Sequence, residues 1–169
     1  MIEINIKYLT INMIFLAVWQ FTIFLFSKNI NISFFDPTKK IYSQKNWEHN
    51  GKFYTAVLRI NMWKDYLPQH IGKNGFSKKN LNKYSGLSHE YINEFIYETC
   101  RAEWYHTICL FGYMLFLLMN LVFVYKLLFF AINIVINLPF ILIQRYNRIR
   151  LNKLNMRYHN KFQNRAPNF

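Results

Sequence analysis

Cysteine and acid are both scarce in this chain. Cys100 and Cys109 are the only thiols and have no paired spacing, so there is no disulfide scaffold or metal site to read and no redox compartment to infer. Asp and Glu number 8 against 21 Lys plus Arg, a formal charge of +13, and charged residues make up 17% of 169 positions, below the roughly 25% of soluble domains. Nucleophile machinery is missing too: there is no GxSxG elbow, Walker A, HExxH or His-x4-Asp pairing. Zinc-finger spacing, a helix-turn-helix pattern and an RNA-binding aromatic signature are absent as well, so the positive charge is not the footprint of a nucleic-acid partner.

What is plentiful is apolar. The chain is 53% hydrophobic and 20% aromatic, with 17 Phe, 12 Tyr and 4 Trp, which excludes disorder. A mean hydropathy of -0.01 conceals two populations, long apolar blocks and basic polar stretches. That division is the mark of an α-helical integral membrane protein, expected here as a single membrane domain. No internal repeat is visible.

The first block, Leu9 to Ser27, has 19 residues and no formal charge, about enough for a hydrocarbon core of roughly 30 Å at 1.5 Å per residue. A cleaved signal peptide is the competing reading. An almost neutral MIEINIKY before the block, its length, and the lack of a small-x-small site after it favour a retained anchor. From Trp104 to Gln144 the single formal charge is Lys126. A helical hairpin divides this stretch into Trp104 to Val122 and Leu127 to Gln144, with Asn120 and Lys126 near the turn. Asn133, Asn137 and Pro139 make the last segment the weakest spanning helix, open to a tilted or re-entrant course, because a buried amide in lipid needs a partner from a neighbouring helix or a substrate.

Charge placement gives the same topology independently. Lys28 to Tyr97 carries eleven basic and five acidic residues, and Arg145 to Phe169 carries seven basic and none acidic. Three crossings put both regions on the cytoplasmic side of a bacterial cell membrane, beside anionic lipid. Within the region 28–103, IGKNGFSKKNLNKYSG reads as loop, the NG at Asn50 and Gly51 as a turn, and SHEYINEFIYETC from Ser88 as a helix start. The tail, 145–169, is basic and cytoplasmic in this scheme.

Chemistry concentrates in three places. In EYINEFIYETCRAEWYH, helical spacing puts Glu90, Glu94, Glu98 and Arg101 within an 80° arc, and Glu103 and His106 together on another face. The bland reading is an interfacial lattice in which Glu98 pairs with Arg101 and Glu103 buffers His106. The functional one makes His106 a general base on a hydroxyl, with Glu103 or Glu98 fixing its tautomer. In NLPFILIQRYNRIR, residues Asn137, Gln144, Arg145, Asn147, Arg148 and Arg150 crowd a cytoplasmic helix end. Their guanidinium forks suit phosphate, and equally suit anchoring beside anionic lipid. The third place gathers Trp47, Glu48, His49, Asn50 and Lys52 with Trp63, Lys64 and Asp65. There the tryptophans read as interfacial anchors.

Taken in order, WEHNGKFY (Trp47 to Tyr54), NMWKDYLP (Asn61 to Pro68), ETCRAEWYH (Glu98 to His106) and NLPFILIQRYNRIRL (Asn137 to Leu151) resemble the small membrane-bound glycosyl-4,4'-diaponeurosporenoate acyltransferases. The resemblance covers roughly Ser43 to Leu151. It implies transfer of a fatty acyl group from an activated donor to the C6'' hydroxyl of the glucose on a C30 carotenoid ester, the last step of staphyloxanthin synthesis. It also implies an acyl-CoA-like cosubstrate, no bound cofactor, membrane lipid as surroundings and an amphiphilic glycolipid acceptor. It raises the importance of Arg101, Glu103 and His106 without assigning their chemistry; we take these three as the catalytic candidates, and Glu98, Trp47, Glu48, Asn50, Lys52, Trp63, Asn137, Gln144, Arg145, Asn147 and Arg148 as the substrate-binding ones. Ile149 stands where the family motif has proline, a change that lifts a constraint on the preceding arginine and deletes no polar group. A reading from another class is a non-catalytic membrane subunit or assembly factor that docks a partner through its basic loop.

Overall fold

The computed structural model describes residues 6–67, 89–112, 114 and 123–163. Among the described residues there are four α-helices and no strand: α1 (Ile6–Asn29), α2 (Ile60–Trp63), α3 (His89–Phe111) and α4 (Phe123–Gln163), with short helical turns on either side of α2 between Ile32 and Tyr66. The loop centre, the helix start at Ser88 and Asn120 of the expected turn lie outside the described residues, while Lys126, expected near that turn, lies inside α4.

α1 extends the expected anchor by three residues at its start and two at its end. Ile11, Ile14, Val18, Phe21 and Leu25, three or four apart, form an exposed apolar stripe, and Val124, Leu127, Leu128, Val135 and Leu138 are exposed on α4. Exposed apolar stripes of this extent are consistent with a helical membrane protein. Two of the described helices are long and apolar enough to cross a bilayer, one in α1 and one in α4. The segment Trp104 to Val122 lies partly outside the described residues.

α4 changes the expected layout. Its 41 residues run unbroken through Pro139 and past Gln144 to Gln163, about 60 Å of helix against a hydrocarbon core of roughly 30 Å. The re-entrant course is thereby replaced by a continuous helix, and the boundary between Gln144 and Arg145 falls inside it. Proline has no N–H for the carbonyl four residues back, Val135, yet ring and backbone can be carried where the rest of the ladder is intact. Beyond that point Tyr146, Ile149 and Leu151 are buried and hold the helix against the rest of the protein. Ile149 thus does what its freedom from the proline constraint permits: it continues the helix and packs with Tyr54, Ile60 and Tyr146.

α3 packs along α4. At one end Ile92 and Ile96 meet Leu151; at the other, Leu16 of α1 joins Tyr125 and Phe129 of α4. α1 seats on α3 through Phe24 and Tyr105, edge to face at 6.1 Å, and through Trp19, whose indole comes within 2.1 Å of where a Cβ on Gly112 would stand, so only glycine fits there. The segment from Ile32 to Tyr66 folds as a cap over the same pair. Phe35 and Tyr42 bury against Cys100, while Tyr54 and Ile60 bury against Tyr146. The expected turn at Asn50 and Gly51 is present and sharp: His49, Asn50 and Gly51 are all left-handed, with φ 44°, 57° and 89°, a run that Asn and Gly tolerate and most other residues do not.

Candidate active site

Two polar clusters occupy the seam between α3, α4 and the cap. The lower one is ionic. Arg145 and Arg148 sit three apart on α4, 9% and 3% exposed, and meet Glu103 of α3 and Glu48 of the cap, 6% and 0% exposed. Arg145 Nη1 donates to Glu103 Oε1 at 2.7 Å, Nε to Glu48 Oε1 at 2.9 Å, and Nη2 to Glu48 Oε2 at 3.2 Å. Arg148 Nη2 donates to the other oxygen of Glu103, and its Nε to the Tyr42 carbonyl at 3.1 Å. The carbonyls of Ile41 and Ser43 take the remaining Arg145 hydrogens at 3.3 and 3.2 Å. Tyr54 Oη donates to Glu48 Oε1 at 2.5 Å and Lys45 N to Oε2 at 2.5 Å.

Two cations and two anions therefore cancel within a buried volume, the condition under which burial of charge is tolerable. Burial acts to raise the Glu48 carboxyl, but Arg145, Tyr54 and the Lys45 amide outweigh it and hold Glu48 below the usual carboxylate range. Burial with Glu48 beside it pushes the Tyr54 phenol well up, and burial raises the Cys100 thiol to about 11. A thiol so disposed is a neutral core group and not a nucleophile.

The upper cluster is an amide chain ending on histidine. Asn133 Nδ2 donates to the carbonyls of Cys109 and Leu110 at 3.2 and 3.0 Å. That fixes the Asn133 side-chain oxygen as acceptor, and Asn137 Nδ2 donates to it at 2.8 Å and to the Asn133 carbonyl at 3.1 Å. Asn137 then has only its oxygen for His106 Nδ1, 3.0 Å away. Nδ1 must carry a proton, so in the neutral ring Nε2 holds the lone pair. The ring is clamped flat on Phe140, centroids 4.7 Å apart and planes 6° from parallel, with Tyr105 edge-on at 4.6 Å.

The arrangement differs in three respects from the sequence expectations. Glu103 does not support His106: its two oxygens go to Arg145 and Arg148, because a buried carboxylate is better served by guanidinium than by neutral imidazole. Asn137 holds the tautomer instead. Arg145 and Arg148, expected to face donor phosphates, are committed to carboxylates. Glu98 and Arg101 do pair, at 2.7 Å, 34% and 22% exposed, and the Arg101 guanidinium lies over the Phe35 ring. Neither is among the contacts described for the His106 chain.

The other expected residues divide between cap and helix. Trp63 donates its indole N–H to the Leu58 carbonyl at 2.9 Å and packs in the Tyr54 cluster. Trp47 is half exposed and edge-on to Phe53 at 5.0 Å. Asn50 and Lys52 line an open cleft; Gln144 and Asn147 are half-buried on α4. Asn133, Phe140 and Tyr54 were not singled out for a role. Asn133 and Asn137, four apart in an apolar helix, were the available signal for the amide chain. Nothing local marked Tyr54.

Long apolar helices and a histidine held between two helices suit a membrane-associated protein. Residues 38–157 match the family described as CrtO: Glycosyl-4,4'-diaponeurosporenoate acyltransferase, and the chain belongs to that family of acyltransferases. It is similar to the glycosyl-4,4'-diaponeurosporenoate acyltransferase of Staphylococcus haemolyticus (strain JCSC1435), 30% identical over 151 residues covering 86% of this chain and 85% of the relative. The proteins of that name from Staphylococcus aureus strains MRSA252 and N315 are 32% and 29% identical over 116 residues, 68% of this chain and 67% of each relative. No solved structure matches.

Proposed function

We propose that the chain transfers a fatty acyl group from an acyl-CoA-like donor to the sugar hydroxyl of a membrane glycolipid, with glycosyl-4,4'-diaponeurosporenoate, the acceptor in its relatives' names, as the substrate. The observation that carries the reading is the fixed tautomer of His106: a base at Nε2, aimed by Asn137 and Asn133, in a chain of an acyltransferase family. The acceptor hydroxyl gives its proton to His106 Nε2 as its oxygen bonds to the thioester carbon. The C–S bond then breaks, and the proton passes from imidazolium to the departing thiolate. No acyl-enzyme is needed, in keeping with the buried, neutral Cys100.

The flanking architecture supports this division of labour. The ionic cluster ties cap to helices and so holds α3 and α4 in register, with Glu103 and Arg145 as positioning residues. The lipid-facing stripes leave the apolar portions of both substrates in the bilayer. In this reading three spans place the cap and the basic end of α4 on the cytoplasmic side, where an acyl-CoA is delivered.

Mass analysis of the lipid product tests the proposal. Purified protein in nanodiscs, given labelled acyl-CoA and glycosyl-4,4'-diaponeurosporenoate, is expected to yield the acylated carotenoid glycolipid. Equal transfer to a water-soluble glucoside would refute membrane presentation, and transfer only to an unrelated glycolipid would remove the carotenoid acceptor.

A further inference from the structure

Below the two buried clusters lies a third assembly that neither serves. Tyr146, Arg150 and Lys153 recur at spacings that share one face of α4. Opposite them stands the left-handed turn of His49, Asn50 and Gly51. The turn is pressed onto the helix: Ile149 Cγ2 is 3.5 Å from where a Gly51 Cβ would be, and Lys153 Nζ donates to the Asn50 carbonyl at 2.6 Å. The cleft between them has a volume of about 240 Å³, and its charged lining among the described residues is Lys52, Arg150 and Lys153, with no carboxylate. The Arg150 guanidinium is laid over the Tyr146 ring, 5.6 Å from its centroid.

The contrast with the ionic cluster is informative. Arg145 and Arg148 are neutralised by two carboxylates, whereas these three cations are exposed and share a concavity without a counter-charge. Clustered like charges repel and are retained most readily where an anion occupies the space between them. At about 240 Å³ the cleft is smaller than the roughly 300–1,000 Å³ of pockets that enclose a whole drug-sized ligand, which fits a headgroup whose remainder lies outside. With α4 crossing a bilayer as proposed above, its place just beyond the apolar stretch falls at headgroup depth.

We propose that Lys52, Arg150 and Lys153 form a recognition site for a phosphate-bearing headgroup of an amphiphile. Resting on the reading of His106 as base, the axial distance supports the donor as its source. Asn137 to Arg150 is 13 residues, about 20 Å at 1.5 Å per residue, a span of the order of the extended pantetheine arm that separates thioester from diphosphate in coenzyme A.

The test is equilibrium binding of palmitoyl-CoA to the full chain in phosphatidylcholine nanodiscs, paired with retention of phosphatidylglycerol measured by native mass spectrometry in mixed-lipid discs. The variant K52Q/R150Q/K153Q is compared with K28Q/K39Q/R157Q, which removes the same charge elsewhere. A loss of palmitoyl-CoA affinity of about tenfold or more in the cleft variant alone establishes the site and assigns it to the donor. Loss of phosphatidylglycerol retention alone, again confined to the cleft variant, establishes the site and assigns it to a lipid headgroup. Equal loss in both variants, or none for either probe, overturns the proposal. An H106Q protein with normal turnover would undo the base reading and the distance argument while leaving the cleft's binding result in place.

Discussion

Replacing Glu103 with glutamine keeps the shape of the side chain and removes the charge that joins α3 to both arginines. Arg145 would still have Glu48 at 2.9 and 3.2 Å, but Arg148 would lose its carboxylate partner, keeping the Tyr42 carbonyl and ring and, at 3.5 Å, Cys100 Sγ. The cluster passes from neutral to one net positive charge at a site where Arg148 is 3% exposed. Removing one member of such a buried pair costs about 3–5 kcal/mol, or about 6–20 °C in Tm for a chain of this size. Glu98→Gln is the matched control. Its pair with Arg101 is 34% and 22% exposed, so the loss is expected below about 1 kcal/mol. Thermal unfolding of both variants in one detergent decides the matter. If E103Q melts within about 2 °C of wild type by the same scale, or E98Q melts lower than E103Q, the cluster does not hold the cap.

Two further outcomes follow from the same contacts. Asn137→Leu removes the acceptor that fixes the His106 tautomer, and turnover is expected to fall by about 10²-fold with little change in acceptor KM; a KM effect alone would make Asn137 a substrate contact instead. For Glu48, a folded pKa held below the ordinary value of 4.5 means that its stabilising contribution is complete above that value and is lost as pH falls through the lower, folded one. Melting temperature should therefore hold from pH 7 to about 5 and decline below, and E48Q, less stable throughout, should show a shallower acid decline.

Much of the architecture was legible because it is local. The charge-free run from Leu9 became α1, the NG pair became a left-handed turn, and Glu98 found Arg101 one turn along the helix, since composition and short spacing decide such features. The ionic cluster was not legible. Glu48 and Arg145 are 97 positions apart and Glu103 and Arg148 are 45 apart, and each carried a more obvious local role: Glu103 as neighbour of His106, the arginines as interfacial cations. Helix continuity past Gln144 was hidden for a related reason. A change from apolar to basic residues reads as a membrane boundary, but the helix does not end there, because Tyr146 and Ile149 pack on the cap and Leu151 on α3. The asparagines were visible as buried amides needing partners, and the structure supplied one of those partners as the histidine.

The central claim is that His106, held by Asn137 with Nε2 unprotonated, takes the acceptor's proton. Its most direct test is single-turnover acyl transfer from labelled acyl-CoA to glycosyl-4,4'-diaponeurosporenoate in nanodiscs, comparing wild type with His106→Gln of equal melting temperature. Loss of a general base predicts a rate lower by about 10²–10⁴-fold with donor binding retained; a folded H106Q protein that transfers at a near-normal rate would contradict it.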